Sequence, residues 1–400
     1  MTKHRLAALV GLSAAMTIAA IAQQGANTTP KGRANGMKMQ EARGKMMNER
    51  GKQVMYTKKF DLSDLPDYKP SQKVSGIIRL WGSNYITDGK TGKLWEDAFR
   101  KYHPNVEFEW HMKTTSAAVP SLVFGVSDIG MGRKVTFSEL QMYERYTNRD
   151  PLEIDIATGS YDVAGWQPGF GVLVSKDNPL NHISMKQLDG IFGAQRDGGW
   201  QGTSWHAEWA RGPEKNIRTW GQLGLTGEWA DKPIDVYGLK LRYHQATEIS
   251  DWILQSSDKW NENLRTYANY VSPTGTLSRN MNADIAADKY GIGIVAAPTK
   301  ALGGGKQPEA KILALGWTSA GPFVPYTMEN LQNRTYPMFD RIYAYANDDP
   351  EKGLDPKVAE FLRFVVSRQG QELMEQDGKY LPLTAEVARA QLAKLNEASK

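Results

Sequence analysis

Three hydroxyl-bearing positions in the 400-residue chain have the setting that anion chemistry needs. Ser83-Asn84 follows the apolar run "SGIIRLWG", Thr114-Thr115-Ser116 follows "NVEFEWHM", and Thr247 follows "PIDVYGL". Each falls after a strand-like run and before a helix-like one. A helix start carries N–H groups with no intrahelical partner and the positive end of the helix dipole, so a hydroxyl placed there can help to hold a tetrahedral oxyanion. Ser and Thr also cap helices with no ligand involved, and the residues alone leave both readings open.

Asp128 adds a selective element. A carboxylate repels an anion unless the anion brings a proton to share, and hydrogen phosphate can donate such a bond whereas sulfate cannot. Asp128 is therefore a candidate selector, with capping of the following turn as the alternative. Arg133 and Arg242 are candidate charge partners. Catalytic signatures are missing: the sequence has no G-x-S-x-G, no H-E-x-x-H and no cysteine nucleophile. "GGGKQ" at 303–307 lacks phosphate-loop spacing, and the six histidines are scattered without metal-ligand spacing. No metal and no cofactor is expected.

The elements that must position these residues read as an α/β fold. "KLWEDAFRKYHP" has apolar Leu94, Trp95, Ala98 and Phe99 on one helical face and stops before Pro104. "NVEFEWHM" alternates as a strand does. "TTSAAVPSLVFGVSDIGM" reads as a short helix and then a strand ending in Ser127-Asp128. A second strand–helix series starts near Trp166, with "GFGVLVSKDNPL", "SMKQLDGIFG", "PIDVYGL" and "YGIGIVAAP". "MFDRIYAYAND" returns as a strand, a helix pair follows, and "YLPL" packs last. This order predicts two lobes, each a mostly parallel sheet flanked by helices, the second inserted in the first. The expected boundaries are 74–165 with 336–400 for lobe 1 and 166–335 for lobe 2, including a Trp-rich insertion at 193–219. The chain is expected to cross between lobes near Ala164–Gln167 and Tyr336–Arg341, with the ligand outside the carboxyl ends of the strands.

The ends set the compartment. Lys3, His4 and Arg5 precede an apolar run from Leu6 to Ile21, and Ala20-Ile21-Ala22 fits a cleavage site, so residues 1–22 read as a signal peptide. With no cysteine, the chain is expected to hold no disulfide and no N-terminal lipid, and to be periplasmic, or else secreted. Its net charge of +5 misleads: residues 31–60 hold nine Lys or Arg and two Glu, and the body is net negative. The basic segment falls within an extension at 23–73, expected to be flexible, and does not make the body a nucleic-acid binder. A monomer is expected.

Longer stretches resemble the phosphate-binding proteins of bacterial ABC transporters, which are type II periplasmic binding proteins. They are "TTSAAVPSLVFGVSDIGMGRK", "LVSKDNPLNHISMKQLDGIFG", "IRTWGQLGLTGEWADKPIDVYG" and "YPMFDRIYAYANDDPEKGLDPKVAEFLRFVVSRQGQELMEQDGKYLPL". The likeness runs from about Gly76 to Leu383. It implies a two-lobed protein that closes on inorganic phosphate and delivers it to a membrane permease. By that resemblance Thr114, Thr115 and Ser116 match the hydroxyl cluster, Asp128 the acceptor of the phosphate proton, and Ser83 the first loop. The family's Ser-Gly-Thr helix start, preceded by an Arg, is here Gln245-Ala246-Thr247 with Arg242 nearby, so Thr247 agrees and the glycine is lost. That departure keeps a second expectation open, the same fold binding another anion or serving sensing or partner contact. A secreted phosphoester hydrolase is the third, with no nucleophile or metal cluster to support it.

Overall fold

The computed structural model describes residues 56–163, 166–241, 244–267, 281–301 and 309–400. The signal peptide, the basic segment up to residue 55, Ala164-Gly165, Arg242 and the "GGGKQ" turn lie outside the described residues. Everything described belongs to one unit, Gln53–Tyr267 with Asn280–Lys400.

In chain order the elements that frame the site are β1 (Gly76–Gly82), α1 (Thr91–Tyr102), β2 (Val106–His111), α2 (Ala118–Val123), β3 (Ile129–Gly132), α3 (Phe137–Thr147) and β4 (Leu152–Thr158). Then follow β5 (Phe170–Ser175), β6 (His182–Ser184), α4 (Met185–Phe192), β7 (Gly199–Gln201), β8 (Ser204–His206), β9 (Asp235–Leu239), α5 (His244–Ile253), β10 (Arg265–Tyr267), β11 (Gly291–Ala296) and β12 (Ala310–Gly316). The chain closes with β13 (Arg341–Ala346), α6 (Pro356–Val366), α7 (Arg368–Asp377) and α8 (Ala385–Ala398).

Two sheets result, β2-β1-β3-β13-β4 and β10-β9-β11-β5-β12-β6. In the first, β1 runs parallel to β2 and β3, while β13 is antiparallel to β3 and β4. In the second, β5 is antiparallel to β11 and β12, and the other pairings are parallel. Each sheet is thus mostly parallel in direction with one reversed strand, and that strand is the first one after the chain changes sheet. A reversed strand begins where its neighbours end, so β5 and β13 both start at the edge where the parallel strands finish. That edge is where loops and helix N-termini collect in an open α/β sheet.

Burial explains the elements. Ile78, Leu80, Ile129, Met131, Ile154 and Ile156 pack with Trp95, Phe99, Phe361 and Phe364 in one cluster. Val172, Val174, Leu188, Ile191, Val236, Ile249, Ile253 and Ile292 form the other. Removing each such side chain from water stabilises the fold by about 2 kcal/mol. Residues 56–73 fall in the part of the chain read as a flexible extension, yet here they pack. Leu62, Leu65 and Tyr68 are buried, and the Tyr68 hydroxyl donates to Glu360 Oε2 at 2.7 Å. The sequence reading stops at "YLPL" and misses α8, which Thr384 caps through the Val387 N–H.

The two connections between sheets bind each other. Gly159 N–H donates to Asp340 O at 2.8 Å and Phe170 N–H to Met338 O at 3.0 Å. A Cβ on Gly159 would stand 2.2 Å from Gln167 O, so this close approach requires glycine. The insertion forms the β7–β8 hairpin, and it touches the first lobe: Trp200 meets Phe137 at 5.0 Å between ring centres, and Thr203 Oγ1 donates to Glu144 Oε1 at 2.7 Å.

Candidate functional site

Ser83 stands directly after β1 and is fully buried, its N–H donating to Met131 O at 2.8 Å. Thr114 is exposed and precedes a 3-10 turn at Thr115–Ala117. Thr115 lies under Gly132, where an added Cβ would be 3.3 Å from its side chain. Arg133, directly after β3, is 7% exposed, and its Nη2 reaches Ser116 Oγ at 3.5 Å. Ser83, Thr115, Ser116 and Arg133 are therefore brought to one sheet edge.

Arg133 is not a free cation. Glu139 grips it with two bonds, Nη1 to Oε2 at 2.9 Å and Nη2 to Oε1 at 3.0 Å, and Nη1 also donates to Lys134 O. Glu139 is held in place by the capping box of α3: Thr136 N–H donates to its carboxylate while its own N–H donates to Thr136 Oγ1. The remaining Nε of Arg133 is buried with no hydrogen-bond partner.

Asp128 is a first-lobe candidate that the structure puts at the opposite end of β3 from this edge. The strand read as ending at Asp128 begins at Ile129, with Leu80 opposite Ile129. Asp128 thus sits at the far end of β3; at about 3.3 Å per residue, five steps separate it from Arg133 by roughly 16 Å. Its carboxylate accepts from Arg79 N–H at 2.8 Å, Nε at 3.2 Å and Nη2 at 3.0 Å. Burial alone would raise this carboxyl, but Arg79 and Lys357 outweigh it and hold it below the usual range. Arg79 thus takes up the bonding that a ligand proton would need.

The second lobe offers one face of α5. His244, Thr247, Glu248 and Asp251 recur at helical spacing and so share a side of the helix. Thr247 lines a groove of about 500 Å³ with Lys134, Val135 and Phe137 of the first lobe and Trp200 and Trp260 of the second. An adjoining cavity of about 220 Å³ is lined by Lys134, Glu248, Asp251, Trp252, Asp340 and Arg341, among others. The Arg133 charge reaches His244 and Glu248 of α5, and its neighbour Lys134 stands 3.9 Å from Asp251 on the same helix.

Two residues here escaped the sequence reading as site residues. Glu248 and Asp340 are buried, and Glu248 Oε1 and Asp340 Oδ2 have no hydrogen-bond partner. Burial, reinforced by Asp340 and only partly opposed by Arg133, raises the Glu248 carboxyl well above the usual range. Burial likewise pushes Asp340 up to about 7, against its bond from Arg341 N–H. Burial and the Arg133 charge lower His244 to about 4, so its ring is neutral at pH 7. The register Tyr343–Gly132 could have pointed to Asp340: it carries residue 340 past the end of β3, to the level of Lys134 and Val135. Among the described residues no His/Cys/Asp/Glu group could hold a metal ion, and no helix is long and apolar enough to cross a membrane.

Two sheets, each with one reversed strand, a pair of crossing connections and a polar cleft between them define a two-lobed binding protein. Residues 88–369 match the family model of the PBP superfamily domain. The chain is 30% identical over 332 residues to the phosphate-binding protein PstS of Pseudomonas aeruginosa, covering 83% of this chain and 90% of that protein. It belongs to the phosphate ABC-transporter substrate-binding protein family, the type II periplasmic binding proteins. Solved structures similar to it include PstS from Borrelia burgdorferi, at 15% identity and a TM-score of 0.47, covering 78% of this chain and 100% of that one. Another is a possible phosphate binding protein from Planctomyces limnophilus, at 18% identity and 0.45, covering 82% and 100%.

Proposed function

We propose that this protein binds inorganic phosphate in the cleft between its lobes and hands it to an ABC-transporter permease. The observation that carries the reading is the buried Arg133, set beside Ser116 on the first lobe, with Lys134 next to it reaching to 3.9 Å from Asp251 of α5 on the second. Membership of a family whose relatives include phosphate-binding proteins gives the ligand class. The ligand residues we assign are Ser83, Thr115, Ser116, Arg133 and Thr247, with Thr114 at the exposed rim. Arg242 joins them by sequence position, since it lies two residues before α5. Asp128 is left out because Arg79 occupies it. Binding by charge-assisted hydrogen bonds and lobe closure requires no covalent step.

Lobe 1 in this reading is 74–165 with 336–400, and lobe 2 is 166–335 with the Trp-rich insertion at 193–219. The protein works in the periplasm as a monomer, exported by its N-terminal signal. A second reading keeps the fold and changes the anion or the role. It is favoured by one observation: Glu139 already neutralises Arg133, so a ligand gains less from that cation. Calorimetric titration of ligand-stripped protein with phosphate and with sulfate separates the two. Saturable heat with phosphate alone supports the first; heat with sulfate alone, or with neither, supports the second.

A further inference from the structure

A pair of arginines lies away from the cleft, at the base of the β7–β8 hairpin. Arg196 and Arg211 stand directly opposite each other and exchange two backbone bonds, Arg196 N–H to Arg211 O at 2.9 Å and Arg211 N–H to Arg196 O at 2.8 Å. Such pairing puts both side chains on one face, where like charges repel. Asp189 of α4 meets both, and Arg196 takes it up. Arg196 Nη1 donates to Asp189 Oδ1 at 2.6 Å, Nη2 to Oδ2 at 2.8 Å, and Nε to Trp209 O at 3.2 Å.

Arg211 is left short. Its side chain is 8% exposed, and its Nη2 donates to Ala194 O at 2.9 Å. Nε stands 3.4 Å from Asp189 Oδ1 without forming a hydrogen bond, and Nη1 has no hydrogen-bond partner. Arg218 beside them is complete, bonded to Gly190 O, Gly193 O and both oxygens of Glu262. Two guanidinium groups and one carboxylate therefore leave one buried positive charge in excess. Burial is the largest influence on Arg211; Asp189 opposes it, Arg196 and Arg218 reinforce it, and the pKa falls below the ordinary arginine value.

Arg211 and Arg196 line a cavity of about 640 Å³ together with Lys186, Lys215, Trp209 and Ile217, among others. That size suits a small molecule. Among the described residues, none that lines this cavity lines the two cleft cavities. Trp209, stacked on His206 at 4.2 Å between ring centres, and Ile217 supply apolar surface.

We propose that this cavity is a second ligand site, for a small organic carboxylate whose anionic end is taken by Arg211 Nη1 and whose body lies against Trp209 and Ile217. One carboxylate cancels the surplus charge and gives the unpartnered nitrogen an acceptor. Lys186 and Lys215 are exposed and attract an anion toward the cavity, with exposed Glu214 offsetting part of their charge. An inorganic dianion would exceed the single surplus charge and leave the apolar wall uncovered. The site belongs to α4 and the insertion, so it does not depend on what the cleft binds.

The test is calorimetric titration of the whole protein with benzoate, with neutral benzamide as the control, each with and without one equivalent of inorganic phosphate. Wild type should bind one benzoate per chain, ignore benzamide, and keep its benzoate affinity when phosphate is present. Arg211→Gln should lower that affinity about tenfold or more. Lys186→Glu changes an exposed side chain, should lower it several-fold, and carries the test should Arg211→Gln not fold. Absence of saturable benzoate binding, equal binding of benzamide, or wild-type affinity in the folded variants overturns the site. Displacement of benzoate by one equivalent of phosphate would place it in the cleft and overturns the site as well.

Discussion

The ring of His244 shows how a single residue can tie stability to the cleft. Its folded pKa of about 4 lies below the ordinary 6.5, because burial and Arg133 disfavour the imidazolium. The unfolded chain therefore binds the proton more readily. The stability this group contributes is full above about 6.5 and is lost as pH falls toward 4, by about 3 kcal/mol. His244→Asn should unfold in urea with a correspondingly smaller loss of stability between neutral and acid pH. An unchanged acid limb would remove His244 from the buried cleft. Glu248 and Asp340 have the opposite sign: their folded pKa values are raised, so their stabilising protons are fully kept below the ordinary carboxylate range and lost as pH rises.

The same scale shows what could be read from the chain. The positions of Ser83, Thr115 and Ser116 are legible because each follows a strand-like run, and strand ends fix direction; Arg133 follows a strand only in the structure, because the run before it reads as ending at Asp128. Asp128 is not legible, because "VFGVSDIGM" is apolar on both sides of Ser127-Asp128 and periodicity cannot place its boundary. The structure puts Phe124, 67% exposed, in the turn and starts the strand at Ile129. A shift of a few residues moves the carboxylate from one sheet edge to the other. Glu248 reads along the chain as an acid that complements a helix N-terminus. Its burial comes from packing near Asp340, more than ninety residues away in sequence, which no local pattern carries.

Among the elements, the paired connections are the most constrained. Gly159 and Asp340 share a bond, and Gln167 O fills the space a side chain at 159 would need. Gly159→Ala should cost about 2 kcal/mol or more, because the backbone of either connection must shift. Thermal unfolding checks this, and a wild-type midpoint would show that the connections yield without cost. The two mostly parallel sheets follow from the alternation of strand and helix runs together with the resemblance; the strand order and the reversed strand in each sheet come from the structure. So do α8 and the packing of residues 56–73. Their apolar positions acquire meaning only against α6 and its neighbours, which the chain builds elsewhere.

For the whole molecule, the issue is how the lobes hold a ligand. Trp200 and Thr203 at the hairpin meet Phe137 and Glu144 of α3, closing the groove that Thr247 lines. Contacts that close a cleft act mainly on escape from it. Trp200→Ala should therefore speed phosphate release several-fold and leave association within about twofold. Stopped-flow tryptophan fluorescence can read both rates, since Trp252 and Trp260 remain beside the cleft. Equal release from wild type and variant would mean that the hairpin does not retain the ligand.

The central claim is that the cleft binds phosphate. Its most direct test is a calorimetric titration of the ligand-stripped, full-length protein with inorganic phosphate, with sulfate as the competitor. The account predicts saturable binding at one site per chain that sulfate fails to displace. Absence of heat with phosphate, or displacement by equimolar sulfate, would contradict it.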